Sequence, residues 1–214
     1  MPKEYEYLFQ DFDKLKIISK LKELKAIYKG TYLFRVQQLN MPEKENLKNS
    51  RIRIRDEGFR ITMTIKTKTK TNDFDEEKEI IIDNFETGID MLLILGCEKD
   101  AYHEKIREIW TIKNTEIVFD IGPGYPEVME IESKTLGELK NMVKLFNLIV
   151  IPKNERKNLF VELFGIDMKE IYKIKNITFI NAKKILTPLV SKNKKKFNLL
   201  IKEQKNIFKK IIKS

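Results

Sequence analysis

Glu4-Tyr5-Glu6, Arg53-Ile54-Arg55, Lys105-Ile106-Arg107 and Glu130-Ile131-Glu132 are four charge-apolar-charge triplets. Side chains on a strand alternate between its faces, so each triplet sets two like charges side by side on one face. The split extends along longer segments. Ile61, Met63 and Ile65 oppose Thr62, Thr64 and Lys66; Ile117, Phe119 and Ile121 oppose Glu116, Val118 and Asp120; Met129 and Ile131 oppose Glu130 and Glu132. For one strand, a charged face turned to water is the ordinary explanation, and Arg51 fits it. Five or more strands with the pattern favour a sheet curled on itself, with acidic and basic strands facing each other inside and helices covering the apolar outside. An eight-stranded barrel leaves room for side chains or one small ligand. Opposite charges in it attract by about 4 kcal/mol at 4 Å in an effective dielectric near 20, while desolvation opposes burying them. Such a lining stabilises a fold poorly and suits a bound polyanion.

The same alternation predicts eight strands, at about 4–9, 31–39, 51–56, 60–68, 77–83, 104–112, 115–121 and 127–132. Asp56-Glu57-Gly58 and Lys113-Asn114 supply hairpin turns, and Gly122-Pro123-Gly124 with Pro126 interrupts the last two strands. Leu15, Ile18, Leu21 and Leu24 predict a helix over about 13–27, and a second runs over about 88–95 to Gly96. Thr135 and Glu138 form the capping-box pattern that starts a third. Beyond 150 the pattern is helical. The expected fold is α+β: a closed or nearly closed eight-stranded antiparallel β tunnel, with helices packed outside and a helical C-terminal extension. The expected division is a tunnel domain at 1–150 and a basic extension at 151–214 packed on it.

Charge supports that division. Of the net +10, residues 151–214 hold 17 Lys and Arg against five Asp and Glu, while 1–150 hold 25 against 27. Within the first part the basic stretch 51–70 precedes the acidic stretch 73–90. In the extension Phe197, Leu200, Ile201, Ile207, Phe208 and Ile211 make an apolar stripe on a lysine-rich helix. That stripe means a helix packed on the domain with a solvated basic face, or one that binds RNA or an acidic membrane surface. One cysteine, Cys97, and one histidine, His103, exclude an internal disulfide, multi-cysteine zinc patterns and an imidazole-rich metal site. Any metal is held by oxygen. The longest apolar run, near Met91–Leu95, is far short of the roughly 20 residues of a membrane span, and the start lacks a signal segment. The expectation is a soluble, untargeted, cytoplasmic protein, monomeric or homodimeric. Tyr125 and Trp110 could stack on a ring of a ligand, or pack in the core or brace a loop.

The segments EYE, RIRIRDEG, TMTIK, EEKEIIID, EKIREIW, TEIVFD and PGYPEVMEIE follow one another from Glu4 to about Leu148. In that order they resemble the CYTH proteins, or triphosphate tunnel metalloenzymes, which include class IV adenylate cyclases, thiamine triphosphatases and inorganic triphosphatases. The resemblance implies that Glu4, Glu6, Glu130 and Glu132, with Asp120, bind a divalent metal. Oxygen ligands suit Mg²⁺ or Mn²⁺ on chemical grounds alone. It also implies that Arg53, Arg55, Lys66, Lys105 and Arg107 hold the triphosphate, with Arg35 a sixth candidate. Lys66, Lys105 and Arg107 are the residues assigned to catalysis, and Glu77 and Glu79 match an acidic pair expected to orient the cations. Arginine grips phosphate through paired hydrogen bonds and lysine as a point charge.

One position departs from the family's pattern: Leu8 stands where a basic residue usually follows the first E-x-E. Either the grip on substrate is altered or activity lost, or a neighbouring cation, Arg35 or Arg51, compensates. The implied function is metal-dependent hydrolysis of an inorganic, nucleoside or thiamine triphosphate. The alternatives are cyclisation of ATP to cyclic AMP and pyrophosphate, an RNA 5′-triphosphatase whose basic tail binds RNA, and a non-catalytic module for phosphorylated nucleotides.

Overall fold

The computed structural model describes residues 5–43, 50–68, 75–152 and 155–213. The elements run β1 (Tyr5–Phe9), α1 (Lys14–Glu23), β2 (Ile27–Asn40), β3 (Ser50–Asp56), β4 (Ile61–Lys68), β5 (Asp75–Ile82), α2 (Phe85–Ile94), β6 (Glu98–Ile112), β7 (Thr115–Ile121), β8 (Val128–Ser133) and α3 (Leu136–Leu145). A π-helical turn at Phe160–Phe164, α4 (Met168–Lys173), the two-residue β9 (Asn176–Ile177), α5 (Ala182–Leu186) and α6 (Lys194–Ile211) follow.

All strands belong to one sheet in the order β1-β8-β7-β6-β2-β3-β4-β5, antiparallel throughout, with β9 added parallel to β6. The end strands β1 and β5 are not joined by hydrogen bonds, so the barrel is nearly closed. Its curl is evident because Glu6 of β1 and Glu77 and Glu79 of β5, from opposite ends of the sheet, line one cavity.

The helices α1, α2 and α3 each start where a side chain takes up an orphan backbone donor. Asp13 accepts from Lys16 N–H, Asn84 from Thr87 N–H and Thr135 from Glu138 N–H. The helices then cover the apolar outside of the sheet. α1 and α3 place Leu21 and Leu139 against Phe119, Met129 and Ile131, and α2 places Phe85, Ile89 and Leu92 against Ile52 and Ile54. Further along, Phe179 and Phe208 of the C-terminal segment cover Ile106 and Ile121, while Phe164, Leu186 and Phe197 form a core of their own. No described helix is long and apolar enough to cross a membrane.

The helix expected at 13–27 is shorter, because Lys25 turns left-handed (φ 58°) and the chain enters β2 at Ile27. β2 and β6 are longer than expected, 14 and 15 residues, since they pair along nearly their whole lengths through bulges near Gly30 and Leu39. Trp110 belongs to the outer core, its ring 5.1 Å from that of Tyr28.

Candidate functional site

Register fixes which residues meet inside. β1 sets Glu6 opposite Glu132 and Leu8 opposite Glu130; β3 sets Arg53 opposite Thr64; β4 sets Lys66 opposite Glu77; β6 sets Arg107 opposite Asp120. The result is a cavity of about 980 Å³ lined by Arg53, Arg55, Lys66, Lys105 and Arg107 on the basic side. Glu6, Glu77, Glu79, Glu130 and Glu132 line it on the acidic side.

The cations are held by carboxylates rather than left to water. Lys66 Nζ lies 2.7 Å from Glu77, with Arg53 3.5 Å from the same carboxylate, and Arg55 lies 3.8 Å from Glu79. Thr64 donates to Glu79 at 2.9 Å. Asp120 accepts from Lys105 Nζ at 2.9 Å and from Arg107 Nε at 2.7 Å, and Arg107 reaches on to Glu130 at 2.7 Å. Beneath this group Phe34, Ile109 and Val118 form an apolar floor, and Lys105 and Arg107 stand over the Phe34 ring at 5.4 and 5.6 Å.

The electrostatics follow from burial and pairing. Burial opposes the Asp120 carboxylate, but Arg107 and Lys105 outweigh it and hold the group below its ordinary value. Burial pulls Arg107 down too, yet Asp120 and then Glu130 more than restore it, and it ends raised. Lys105 is lowered, chiefly by burial, with Asp120 opposing. Glu130 is raised by burial and then by Asp120, with Glu6 adding and Arg107 and Lys105 opposing. Arg55 is lowered by burial, with Arg53 adding to the effect.

Three buried polar atoms among the described residues lack a hydrogen bond: Arg53 Nε, Arg55 Nε and Thr62 Oγ1. Arg55 Nε is 2.8 Å from Glu57 but not aligned for one. Buried donors without acceptors are uncommon and costly in a folded protein. Two of these belong to guanidinium groups lining the cavity, where an anion's oxygens would satisfy them.

Of the expected residues, two stand apart from this cavity and one lies outside the described residues. Arg35 is on the other face of the sheet, because Phe34 pairs with Lys105 and turns inward. Its guanidinium bonds Asp56 at 2.7 Å and Glu86 at 3.2 Å and lies over Phe85 on the outer side. It therefore compensates nothing at Leu8, which shares the inner face with Glu6. Asp120 is nearly buried behind Lys105 and Arg107 and borders a second, smaller cavity. Glu4 is the residue outside. Among the described residues, no three Asp, Glu, His or Cys side chains stand close enough together to hold a metal unaided. The donor chemistry nonetheless fits a hard cation: Glu6, Glu130 and Glu132 are neighbouring carboxylates on paired strands, and Glu130 is raised by burial first and then by its acidic neighbours Asp120 and Glu6, whose repulsion a cation would offset.

Glu57, Phe34 and Glu116 also line the cavity. Glu116 shares the Asp120 side of β7, a signal legible in the alternation. Phe34 is apolar and Glu57 sits in the hairpin turn, so neither carries a charge pattern that points inward.

A family model described as "CYTH domain" matches residues 39–148. The chain belongs to this family. Solved structures share the CYTH fold with it. The PH1012 protein of Pyrococcus horikoshii OT3 is 18% identical, with a TM-score of 0.55 over 75% of this chain and 98% of that one. A proposed adenylate cyclase of Vibrio parahaemolyticus is 15% identical, with a TM-score of 0.57 over 79% of this chain and 97% of that one. A conserved hypothetical protein of Pyrococcus furiosus is 18% identical, with a TM-score of 0.53 over 75% and 99%. No curated protein matches the sequence. The CYTH match stops at residue 148, before the segment that packs Phe179 and Phe208 on the barrel.

Proposed function

We propose that this CYTH domain hydrolyses a triphosphate, with a divalent metal, inside its charged barrel. The observation that carries the reading is the lining itself: five cations facing carboxylates in one cavity, with Nε donors of Arg53 and Arg55 buried and unbonded. The tunnel unit is taken as 1–150 and the basic helical extension as 151–214.

Glu6, Glu130 and Glu132 would hold Mg²⁺ or Mn²⁺ together with phosphate oxygens. An ion bound there would polarise the phosphate oxygens and offset their charge. Arg53, Arg55, Lys66, Lys105 and Arg107 bind the phosphates and stabilise the charge that builds on them as the terminal bridge lengthens. Glu77, Glu79 and Asp120 keep these cations in place. A water oxygen bonds to the terminal phosphorus, the bond from that phosphorus to the bridging oxygen breaks, and orthophosphate, diphosphate and a proton leave.

A second reading is favoured by Leu8, the apolar residue facing Glu130 where the family's pattern has a cation: a module that binds phosphorylated nucleotides without turnover. Incubation with Mg²⁺ or Mn²⁺ and tripolyphosphate, ATP, thiamine triphosphate or triphosphate-ended RNA separates the two. Phosphate release is expected, with Glu130→Gln raising the metal concentration required. Cyclic AMP and pyrophosphate from ATP would instead identify the cyclase register of the same site. Binding without any product, with Glu130→Gln leaving metal dependence unchanged, would overturn the enzyme reading.

A further inference from the structure

Behind the Lys105–Asp120 pair lies a second cavity of about 280 Å³, on the opposite side from the β6–β7 hairpin turn. Lys105 lines both cavities, so a phosphate chain held by Arg53, Arg55 and Arg107 and ending at Lys105 would stop beside the smaller one. Its walls are hydrocarbon and aromatic. The barrel gives Tyr125 and Val128, and the C-terminal segment gives Phe160, Ile171, Ile174 and Ile177. Well-packed interiors leave few voids larger than a water molecule, and small-ligand sites are largely apolar with a few placed polar groups. This cavity has that composition, and its volume, near the lower end of the roughly 300–1,000 Å³ usual for such sites, suits one ring system.

Its walls are also fixed in advance. Gln204, buried on α6, accepts from Gly124 N–H at 2.7 Å and donates to the carbonyls of Gly122 and Tyr125 at 3.1 and 2.7 Å. Tyr125 meets Phe160 edge-on, ring centres 4.7 Å apart. Gly124 (φ 74°) lies so close to Leu186 that a Cβ would collide with it. The polar complement is small. Glu104 is occupied by Phe179 N–H and the Tyr102 hydroxyl, which leaves His103 as the neutral hydrogen-bonding side chain at the border. Burial, then Lys105 and Arg53, favour its uncharged form, with one donor and one acceptor. The far mouth of the main cavity differs: Arg60, Lys113, Asn114 and Lys134 crowd it, and its Phe59 is half exposed.

We infer that this smaller cavity receives the uncharged ring of an organic triphosphate, so that the substrate is a nucleoside-type ester rather than a bare inorganic chain. The inference rests on the tunnel reading above. Selection of the organic group then falls to the segment 160–177, which lies beyond the region matched by the family model.

The test compares calorimetric binding of tripolyphosphate and of the β,γ-methylene analogue of ATP to wild type and to Ile174→Trp, which fills the cavity. The analogue is expected to bind wild type at least tenfold more tightly than tripolyphosphate. The variant should lose that advantage while its tripolyphosphate affinity stays within about twofold, which also reports that it is folded. Equal affinities in wild type, or equal losses for both ligands in a folded variant, would overturn the inference and leave the tunnel reading intact. Binding of neither ligand to wild type would overturn both. Photolabelling of the wild-type protein with 8-azido-ATP needs no variant: label within 122–128 or 160–177 supports the assignment, and label confined to 57–60 or 111–116 refutes it.

Discussion

Asp120→Asn preserves shape and removes the charge that Lys105 and Arg107 share. The wild-type carboxylate takes hydrogen bonds from Lys105 Nζ and from two nitrogens of Arg107, and its side chain is 9% exposed. An amide keeps one oxygen acceptor and turns an NH₂ group toward a cation. Breaking a buried ion pair from one side costs about 3–5 kcal/mol. Here Glu130 still holds Arg107, and the Lys105 side chain is 26% exposed, so the loss falls at the lower end, about 3 kcal/mol. With a urea slope of about 3 kcal/mol per molar, the unfolding midpoint should drop by about 1 M. The pH dependence has a definite sign. Asp120 is lowered in the folded state, so its stabilisation is complete above its unfolded value of about 3.9 and is lost as pH falls through the folded value. The gap between wild type and variant should therefore be full at neutral pH and narrow below about pH 4. Urea unfolding followed by circular dichroism across that range measures both. A gap under about 0.5 kcal/mol at neutral pH, or one that does not narrow in acid, refutes the pairing argument.

Three further outcomes are expected. Leu8→Lys sets an ammonium on the inner face opposite Glu130 and should tighten tripolyphosphate binding roughly fivefold by calorimetry, about 1 kcal/mol; no change would mean that the cations already present saturate the phosphates. His103 has a lowered folded pKa, from burial first and then Lys105 and Arg53, so its contribution is intact above about pH 6.5 and declines as pH falls toward the folded value. His103→Gln should accordingly flatten the fall in melting temperature between about pH 6.5 and 5, as read by scanning calorimetry. Gln204→Leu leaves Gly124 N–H and the carbonyls of Gly122 and Tyr125 without their partner, at a cost of about 2–3 kcal/mol, with faster amide exchange at Gly124.

What the sequence reveals and what it hides have one physical origin, the alternation of a strand. Where a strand puts charge on one face and hydrocarbon on the other, as at Arg53-Ile54-Arg55 or Glu130-Ile131-Glu132, the inner face is legible, and the structure gathers those charges in one cavity. On β2 the alternation misleads. Its inner face carries Phe34 and its outer face Arg35, because the cations of β6 rest on an aromatic floor while Asp56 and Glu86 draw the arginine outward. Charge alone cannot report that inversion; only the pairing of Phe34 with Lys105 does. Asp120 keeps the inward parity that the pattern gives it, opposite Arg107, but its partners are not legible there. Three-dimensional pairing makes it the counter-ion of two cations, bordering the smaller cavity.

The second cavity was beyond reach for a related reason. Its walls come from strand ends and from short turns after residue 150, and no period of two or 3.6 links Tyr125 to Phe160 or Val128 to Ile174. Residues that meet through tertiary packing leave only composition behind, and an apolar pocket has the composition of a core. The same contrast divides the labour within the proposed site. The ionic groups proposed to grip phosphate sit at regular strand positions, where register holds them in place. The surface proposed to distinguish one phosphate ester from another is assembled from irregular segments, held by Gln204 and the Tyr125–Phe160 contact.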